Sequence, residues 1–464
     1  MARGNHRRGR PFGAALRSAV LPGWGQVFVG RRRSGWILIA LSAVAVSASA
    51  VVVFVMGVSE LVARVTDPGT LRAVLVGNAV VAVLRLAPVL HAWAVGGGRN
   101  FLVGAALAAL VVAPHVAVGY VGEQTNRTLD AVFSAPATTT TSTTTTPSTT
   151  TTSAASGSTE TTIPTTTTTI QPPTTTTTAP PEDQRLNVLL LGGDAGPGRS
   201  GLRTDSVIVA SIDRSTGDAL LVSIPRNWGG LELADGSVIP DRIVNEVYEW
   251  ARRQPERFPG VDPGAAALVE ATEVLTGLDI DYFALVDLTG FAAVVDALGG
   301  VKIDVPRSVY GPSYDPATGG YTMILIPRGE QELSGAEALA YVRERYQSSD
   351  YDRMARQRCV LASLAAEADV VSLLRGIRGI LAAMEDHVTT DVPREAVPML
   401  IRTAADVEQI SVVGLDNRWR RGWDSRGFAI PDPEQVRATV AEAIQNPDRD
   451  DDVLGLLDSE AACG

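Results

Sequence analysis

Three long apolar stretches dominate the first quarter of the chain. Residues 35–57 carry no charged side chain, and residues 101–121 carry none apart from one histidine. Residues 73–95 are also apolar but contain Arg85, whose charge is costly inside a bilayer unless it has a partner. A helix of roughly 20 apolar residues spans the hydrocarbon core of a membrane. The pattern therefore predicts an all-α membrane region over residues 35–121, with about three transmembrane helices.

A polar segment of low complexity separates this region from the rest of the chain. Residues 137–181 consist mainly of threonine, with scattered proline and serine. Such a composition cannot bury a hydrophobic core, so we predict an extended, disordered tether here. The predicted organisation is a basic tail over residues 1–34, the membrane region, a linker over residues 122–181 and a folded domain over residues 182–464.

Beyond the tether, short apolar runs alternate with helical patterns. Ser334, with Glu337 three residues later, forms a capping box that marks the start of a helix. The alternation predicts an α/β domain in which a mixed central β-sheet is flanked by helices. The predicted strands cover residues 187–191, 205–212, 218–224, 281–286 and 301–305, and the predicted helices cover residues 242–253, 264–275, 289–298 and 334–342.

Charge is distributed unevenly along the chain. The formal net charge is −11 at pH 7, yet no acidic residue precedes Glu60 and the N-terminal tail is rich in arginine. Because positive loops stay on the cytoplasmic side, we predict that the tail and the loop at residues 96–100 are cytoplasmic. Three crossings then put the acidic domain on the extracytoplasmic side of the cell membrane. An acidic domain does not suit nucleic acid, which we exclude as a partner.

The chain contains two cysteines, Cys359 and Cys463, both in the predicted extracytoplasmic domain. Disulfides form and persist outside the cytoplasm. Two hypotheses remain open at this point. Either a disulfide fixes the C-terminal end of the chain onto the helix around Cys359, or the two thiols are independent.

The segment of residues 343–357 concentrates side chains that suit phosphate binding. A guanidinium group presents a planar fork of donors that matches phosphate oxygens. Arg343 and Arg345 are two residues apart and would point the same way on an extended backbone. Arg353, Arg356 and Gln357 would share one face of a helix. Asp350 is the predicted N-cap of that helix. This segment is either a solvated charged face or a phosphate clamp. Its members are Arg343, Arg345, Arg353, Arg356 and Gln357.

An ordered series of motifs surrounds this segment and resembles the LytR-CpsA-Psr family over about residues 185–366. The resemblance implies a membrane-anchored, extracytoplasmic phosphotransferase that moves a glycopolymer from a polyprenyl pyrophosphate carrier to peptidoglycan. The threonine tether, the cysteine pair and the content of alanine, valine and arginine indicate an actinobacterial member. The motifs are residues 189–194, 203–206, 223–226, 281–287, 295–301 and 338–345, followed by Asp350, Arg353, Arg356 and Gln357.

The resemblance also implies a set of site residues. Asp194 and Asp205 would hold Mg²⁺, which prefers oxygen ligands and binds through one or two carboxylates together with substrate phosphates. No arginine follows closely after Asp194, and Asn227 stands where the family commonly has an acidic residue. The residues implied in catalysis are Arg226, Arg343, Arg345 and Arg353, and those implied in substrate binding are Gln357, Arg356, Arg203, Arg242 and Asn245. For Arg356 a second hypothesis stays open, in which it pairs with an acidic neighbour.

Three other hypotheses compete with the phosphotransferase. A non-catalytic protein that binds polyprenyl phosphates and tethers or senses the wall would tolerate loss of both aspartates, and both are present. A hydrolase that cleaves the pyrophosphate with water could use the same site. A transcriptional regulator does not suit an acidic domain beyond the membrane. Apolar helices over residues 265–275, 291–298 and 360–374 would form either a groove for the carrier lipid or an ordinary core.

Overall fold

The computed structural model describes residues 10–95, 100–133, 185–195, 201–315, 320–346, 348–367, 370–447 and 456–458. The predicted tether over residues 137–181 lies outside the described residues. The described chain forms a helical N-terminal region and a second region built around a β-sheet.

The N-terminal region is helical. Its elements are α1 (Arg10–Val20), α2 (Trp24–Phe28), α3 (Arg32–Met56), α4 (Val58–Thr66), α5 (Pro68–Val95) and α6 (Phe101–Phe133). Within the described residues, α3, α5 and α6 are the helices long and apolar enough to cross a membrane. Their number and apolar composition agree with the three predicted spans, while α5 begins earlier and α6 ends later than predicted.

A polar network holds α1 and α2 against α5. Arg85 on α5 donates a hydrogen bond to Ala19 O at 3.1 Å, which supplies the partner that its charge requires. Gln26 is buried on α2 and donates to Pro88 O at 2.8 Å. Ser18 Oγ donates to Gln26 Oε1 at 2.9 Å, so both polar atoms of this buried amide are satisfied.

Helix α6 continues beyond residue 121 into the segment assigned to the linker, and it reaches the sheet region. Leu129 and Phe133, near its C-terminal end, are buried in one apolar cluster with Leu381, Val392 and Val397 of the sheet region. Buried apolar area stabilises such a contact at about 25 cal/mol per Å². The two regions are therefore packed directly against each other.

Two arginines of the sheet region add polar contacts to this interface. Arg394 is buried, pairs with Asp130 on α6 and donates to Asn126 Oδ1 at 2.8 Å. Arg402 pairs with Glu60 on α4. The Arg394 pair matters more for stability, because Arg402 is exposed and exposed ion pairs contribute little.

A mixed sheet of seven strands forms the centre of the second region. The strand order is β13-β10-β3-β2-β1-β4-β9, with β1 parallel to β4, β3 parallel to β10 and the other neighbours antiparallel. Three separate two-stranded sheets are formed by β5 with β8, β6 with β7 and β11 with β12. The strands are β1 (Arg185–Gly193), β2 (Thr204–Asp213), β3 (Asp218–Ser223), β4 (Tyr282–Val286), β5 (Val301–Val305), β6 (Val309–Asp315), β7 (Gly320–Ile326), β8 (Gly329–Leu333), β9 (Val388–Thr390), β10 (Gln409–Gly414), β11 (Arg420–Trp423), β12 (Ala429–Pro431) and β13 (Leu456–Asp458).

Helices cover both faces of the sheet, which confirms the predicted α/β class. Side chains alternate along β1, so Leu189 and Leu191 enter the main core with α7, α8 and α14, while Leu190 faces α11 on the other side. The helices of this region are α7 (Val244–Ala251), α8 (Pro263–Thr276), α9 (Leu288–Leu298), α10 (Gly335–Arg343), α11 (Asp350–Glu367), α12 (Val370–His387), α13 (Val397–Ala405) and α14 (Pro433–Gln445).

Local capping signals decide where α10 and α11 begin. The predicted capping box is present, with Glu337 Oε2 accepting from the Ser334 backbone N–H at 2.9 Å. On α11 the cap is Ser349 and not Asp350. Ser349 Oγ accepts from the Asp352 N–H at 3.2 Å, and Asp352 Oδ2 accepts from the Ser349 N–H at 2.7 Å. This reciprocal pair leaves the Asp350 carboxylate to contact other groups.

Cys359 is fully buried on α11 and takes part in a disulfide. Cys463, the other cysteine of the chain, lies outside the described residues. The disulfide state of Cys359 favours the first of the two cysteine hypotheses over independent thiols.

Candidate active site

A cavity of about 1010 Å³ lies between one face of the sheet and helices α9, α10 and α11. Charged side chains from the ends of β1, β2 and β3 and from the start of α11 line one part of it. Apolar side chains from β4, α9, α10 and the middle of α11 line another part. The cavity therefore combines an ionic region with an apolar region.

Strand pairing brings the two predicted metal ligands to the same edge of the sheet. β1 and β2 are antiparallel, and Gly193 at the end of β1 pairs with Thr204 at the start of β2. Asp194 follows the first of these residues and Asp205 follows the second, and both aspartates line the cavity. The Asp194 carboxylate is fixed because its Oδ1 accepts from the Arg203 N–H at 2.8 Å.

A network of two aspartates and two arginines forms the centre of the ionic region. Arg226 Nη1 donates to Asp205 Oδ1 at 2.5 Å, and Arg226 Nε donates to Asp350 Oδ2 at 3.3 Å. Arg353 Nη1 donates to Asp350 Oδ1 at 2.9 Å. Asp350 therefore bridges two of the four arginines that the sequence predicts for catalysis, although they lie far apart in the chain.

This network shifts the ionisation of its members. Burial raises the pKa of Asp205, but the positive charge and hydrogen bond of Arg226 outweigh burial, so the pKa lies below its ordinary value. Burial lowers the pKa of Arg353 to about 10, and repulsion from Arg226 acts in the same direction. Both groups remain charged near neutral pH.

Arg353 carries the clearest sign of an absent anionic ligand. Its side chain is only 3% exposed, and its Nε and Nη2 atoms are buried without a hydrogen-bond partner within the described chain. Buried donors are normally paired, and leaving one unpaired costs about 1–3 kcal/mol. Because Arg353 lines the cavity, an anion bound there would satisfy both donors.

The remaining predicted residues of the cavity surround this position. Five arginines and four aspartates line the cavity, so its side chains carry one excess positive charge. Gln357 is oriented by Ser206, whose Oγ donates to Gln357 Oε1 at 3.1 Å. The predicted site residues that line the cavity are Asp194, Arg203, Asp205, Arg226, Arg343, Arg345, Arg353 and Gln357.

Three predicted residues do not line the cavity. Arg356 turns away from it, is buried, and pairs with Glu344 at 3.2 Å while donating to Tyr341 O at 2.9 Å. Arg242 is half-buried, and its Nη1 donates to the backbone carbonyl of Asp241 at 2.8 Å. Asn245 is buried behind the site, and its Nδ2 donates to Asp205 Oδ1 at 3.4 Å. Asn245 thus supports a cavity residue, whereas Arg356 joins the loop before α11 to α10.

The order of the motifs agrees with a comparison against protein families. The LytR_cpsA_psr family model matches residues 141–439, which is more than half of the chain. The chain belongs to the LytR-CpsA-Psr family. The resemblance found in the motifs is therefore confirmed.

Curated relatives support this membership over part of their length. The cell wall biosynthesis protein LcpA of Corynebacterium glutamicum is 31% identical over 202 residues, covering 41% of this chain and 37% of that protein. The polyisoprenyl-teichoic acid–peptidoglycan teichoic acid transferase TagU of Bacillus subtilis is 29% identical over 208 residues, covering 44% of this chain and 60% of that protein. The matched region is thus less than two thirds of either relative.

A solved structure is similar to part of the chain. The crystal structure of TagV from Bacillus subtilis covers 57% of this chain and 98% of its own chain, with 24% identity and a TM-score of 0.41.

The sequence missed several residues of this family member's cavity. Asp350 was expected only as a helix cap, because nothing local shows that it faces Arg226. Ser206 belongs to a motif, but its position there indicates no role in the site. His387 lies outside the cavity lining, but its Nδ1 atom is 2.9 Å from Asp287 Oδ2, and Asp287 does line the cavity.

Two of the three predicted apolar helices contribute side chains to the cavity. Phe291 and Val294 on α9 line the cavity, as do Leu361 and Leu364 on α11. Helix α8 does not, because its buried residues belong to the main core on the opposite face of the sheet. The β6–β7 hairpin, which the sequence analysis did not predict, adds Pro312 and Met323 to the lining.

The chemistry of the two carboxylates suits a magnesium ion whose remaining ligands would come from water and a phosphate. Within the described residues, no three or more His, Cys, Asp or Glu side chains gather into a metal site. Magnesium commonly takes one or two carboxylates and completes its shell with water and substrate phosphates. Arg226 and Asn245 both contact Oδ1 of Asp205, so Oδ2 of Asp205 faces no protein donor in the described chain.

Proposed function

We propose that this protein is a phosphotransferase that moves a glycopolymer from a polyprenyl pyrophosphate carrier to peptidoglycan, with Mg²⁺ as cofactor. Family membership supports the class of reaction. The name of the TagU relative describes a transfer of teichoic acid from a polyisoprenyl-linked form to peptidoglycan, and it supports both the donor class and the acceptor.

The observation that carries the proposal is the position of Arg353. Its unpaired donors lie in a cavity that also contains three further catalytic arginines and an apolar lining. A lipid-linked pyrophosphate has the same two parts, an anionic group and a long apolar chain. Each charge-assisted hydrogen bond to such a phosphate contributes about 1.5–3 kcal/mol.

The arginines would perform most of the catalysis by positioning and charge neutralisation. Phosphoryl transfer needs the attacking and leaving oxygens in line and the negative charge on the phosphoryl oxygens stabilised. Arg226, Arg343, Arg345 and Arg353 would bind these oxygens, and Gln357 would fix their orientation from a position held by Ser206. Asp194 and Asp205 would hold a magnesium ion, which supplies further charge neutralisation when bound.

The proposed reaction requires the domain to face the cell wall. We infer that the basic N-terminal tail is cytoplasmic and that three spans put the sheet region on the extracytoplasmic side. The contact between α6 and the sheet region would then hold the cavity close to the membrane that contains the carrier lipid.

A reconstituted assay tests this function. The full chain in lipid nanodiscs receives a polyprenyl pyrophosphate donor with a radiolabelled sugar, purified peptidoglycan sacculi, and either Mg²⁺ or a chelator. We expect label on the sacculi with Mg²⁺, and at least a hundredfold less with Arg353→Ala, since one lost transition-state contact costs about 3 kcal/mol. Arg253→Ala, at an exposed position two residues after the end of α7, is the matched control.

Two outcomes would overturn the proposal. Soluble labelled sugar without attachment would identify a hydrolase. Binding of the donor without any turnover, in both metal conditions, would identify a non-catalytic lipid-binding protein.

A further inference from the structure

The β11–β12 hairpin presents an aromatic and cationic surface on an otherwise acidic domain. Trp423 is 54% exposed, which is unusual for the largest apolar side chain. The guanidinium of Arg420 lies 4.8 Å from the centre of the Trp423 ring. Arg420 has no acidic partner within the described residues, and its one hydrogen bond goes to the backbone carbonyl of Asn417.

Neighbouring side chains repeat this arrangement and hold the hairpin in place. Arg418 stacks on Trp419 at 4.7 Å, and Trp419 is buried with its Nε1 donating to Thr439 Oγ1 at 2.7 Å. Arg421 Nη2 donates to Glu232 at 2.6 Å. The surrounding arginines are therefore engaged in the structure, whereas Arg420 and Trp423 together form an exposed platform.

The hairpin adjoins the ionic region of the cavity. The N–H of Gly229, three residues after Arg226, donates to Ala429 O on β12 at 2.9 Å. On α7, Asn245 contacts Asp205, and the next residue, Glu246, contacts Arg426 of the hairpin turn at 3.4 Å. Adjacent residues of α7 therefore contact the hairpin and the predicted metal ligand Asp205.

The hairpin and the β4 part of the apolar lining lie on opposite sides of β2 in the strand order of the sheet. In the sheet, β10, which leads into the hairpin, and β3, which leads to Arg226, lie on one side of β2. On the other side lie β1 and β4, and β4 contributes Ala284 and Val286 to the apolar lining. In an in-line transfer the attacking oxygen enters opposite the leaving oxygen. The acceptor would thus approach from the side of the hairpin.

We propose that the platform of Trp423 and Arg420 binds the glycan strand of the peptidoglycan acceptor. This inference rests on the proposed function, which defines the acceptor. The flat indole face suits the C–H face of a pyranose ring, because both are apolar surfaces with polar edges. The guanidinium of Arg420, which has no acidic partner within the described residues, suits a carboxylate of the peptide stems.

Co-sedimentation with purified sacculi tests the platform directly. The full chain in nanodiscs is compared with Trp423→Ala, Arg420→Gln and the conservative Trp423→Phe, and Tyr310→Ala serves as the control for an exposed aromatic residue elsewhere. We expect Trp423→Ala to weaken sacculus binding about tenfold, as exposed aromatic anchors do, and Trp423→Phe to retain most of it. Unchanged binding by Trp423→Ala with an unchanged melting temperature would overturn the proposal.

Transfer kinetics separate this proposal from the proposed function. We expect Trp423→Ala to raise the acceptor KM and leave the donor KM unchanged. A raised donor KM with an unchanged acceptor KM would overturn the proposal, because the hairpin would then contact the donor polymer. If the wild type binds sacculi through Trp423 but transfers nothing, the proposed function fails and the binding surface stands. If the wild type transfers and the acceptor KM of Trp423→Ala equals that of the wild type, only the surface fails.

Discussion

Asp350 offers the sharpest test of the ionic region, because the structure gives it a role that its sequence position does not suggest. Its carboxylate accepts from Arg353 at 2.9 Å and from two nitrogens of Arg226 at 3.3 and 3.4 Å. The substitution Asp350→Asn keeps the size of the side chain and removes its charge. It also places an amide N–H₂ opposite guanidinium donors, so that one of the two arginines loses its acceptor.

The expected loss follows from these distances. The contact with Arg353 is short and charge-assisted, and such a bond contributes about 1.5–3 kcal/mol. The two contacts with Arg226 are long and add less. We expect Asp350→Asn to cost about 2 kcal/mol of transition-state stabilisation, which corresponds to about a 30-fold loss of kcat/KM. Because Arg226 retains Asp205, we expect the protein to remain folded.

The assay is glycopolymer transfer by the full chain, with Asp352→Asn as the matched control. Asp352 lies on the same turn of α11, but its carboxylate accepts from the Ser349 N–H and caps the helix. Its loss should cost about 1 kcal/mol of stability and leave transfer nearly unchanged. The reasoning is refuted if folded Asp350→Asn transfers as fast as the wild type, or if Asp352→Asn loses as much activity as Asp350→Asn.

Three further predictions concern the surroundings of the cavity. Arg356→Ala should lower the melting temperature measured by tryptophan fluorescence, because removing one partner of the buried pair with Glu344 costs about 3–5 kcal/mol. The pKa of Asp205 is lowered from 3.8, so its charged form stabilises the fold above the unfolded pKa, and this contribution is lost as pH falls through the lower folded pKa. Asp205→Asn should therefore unfold with a weaker pH dependence below about pH 4 in an acid titration. Arg394→Ala should increase hydrogen exchange at the end of α6, since it removes the partner of Asp130.

Each of these has a contrary result. If Arg356→Ala keeps the wild-type melting temperature but loses transfer activity, Arg356 acts in the site and the stabilising role is wrong. An acid transition that is identical in wild type and Asp205→Asn would remove the ion pair as a source of stability. If hydrogen exchange at the end of α6 is unchanged in Arg394→Ala but increased in Leu129→Ala, apolar packing alone holds α6 against the sheet region.

The elements that the sequence predicts correctly are those with strong local signals. The capping box at Ser334 fixes the start of α10, and the run before Asp194 forms a strand whose apolar residues alternate between buried and half-buried positions. Capping and hydrophobic periodicity act within a few residues, so a single sequence contains them. The β6–β7 hairpin and the edge strand β13 lack such signals, because their pairing depends on partners elsewhere in the fold.

The site divides along the same line. Most of the predicted arginines line the cavity, because the order of the motifs indicates the family and the family's fold brings these residues together. Arg356 differs because helical spacing alone gives it the same face as Arg353 and Gln357, while a buried acceptor at Glu344 draws its side chain the other way. The bridge from Asp350 to Arg226 joins residues that are distant in sequence, and only the folded chain reveals it.

The sequence also does not predict the contact between α6 and the sheet region. The threonine-rich segment suggests independent regions joined by a long tether, and the apolar residues Leu129 and Phe133 look like the frayed end of a span. Their burial against Leu381 and Val392 needs the tertiary position of α12 and β9. A long connection does not prevent two regions from packing together, since loop-closure entropy grows slowly with length.

The central claim is that the cavity holds the pyrophosphate and passes one phosphate to the acceptor together with the glycopolymer. Its most direct test uses a donor labelled with ³²P on the phosphate next to the sugar, with the full chain, Mg²⁺ and sacculi. The account predicts that the label becomes covalently attached to the sacculi, and that Arg353→Ala abolishes this attachment. Attachment of the sugar without the label, or equal labelling by the wild type and Arg353→Ala, would contradict it.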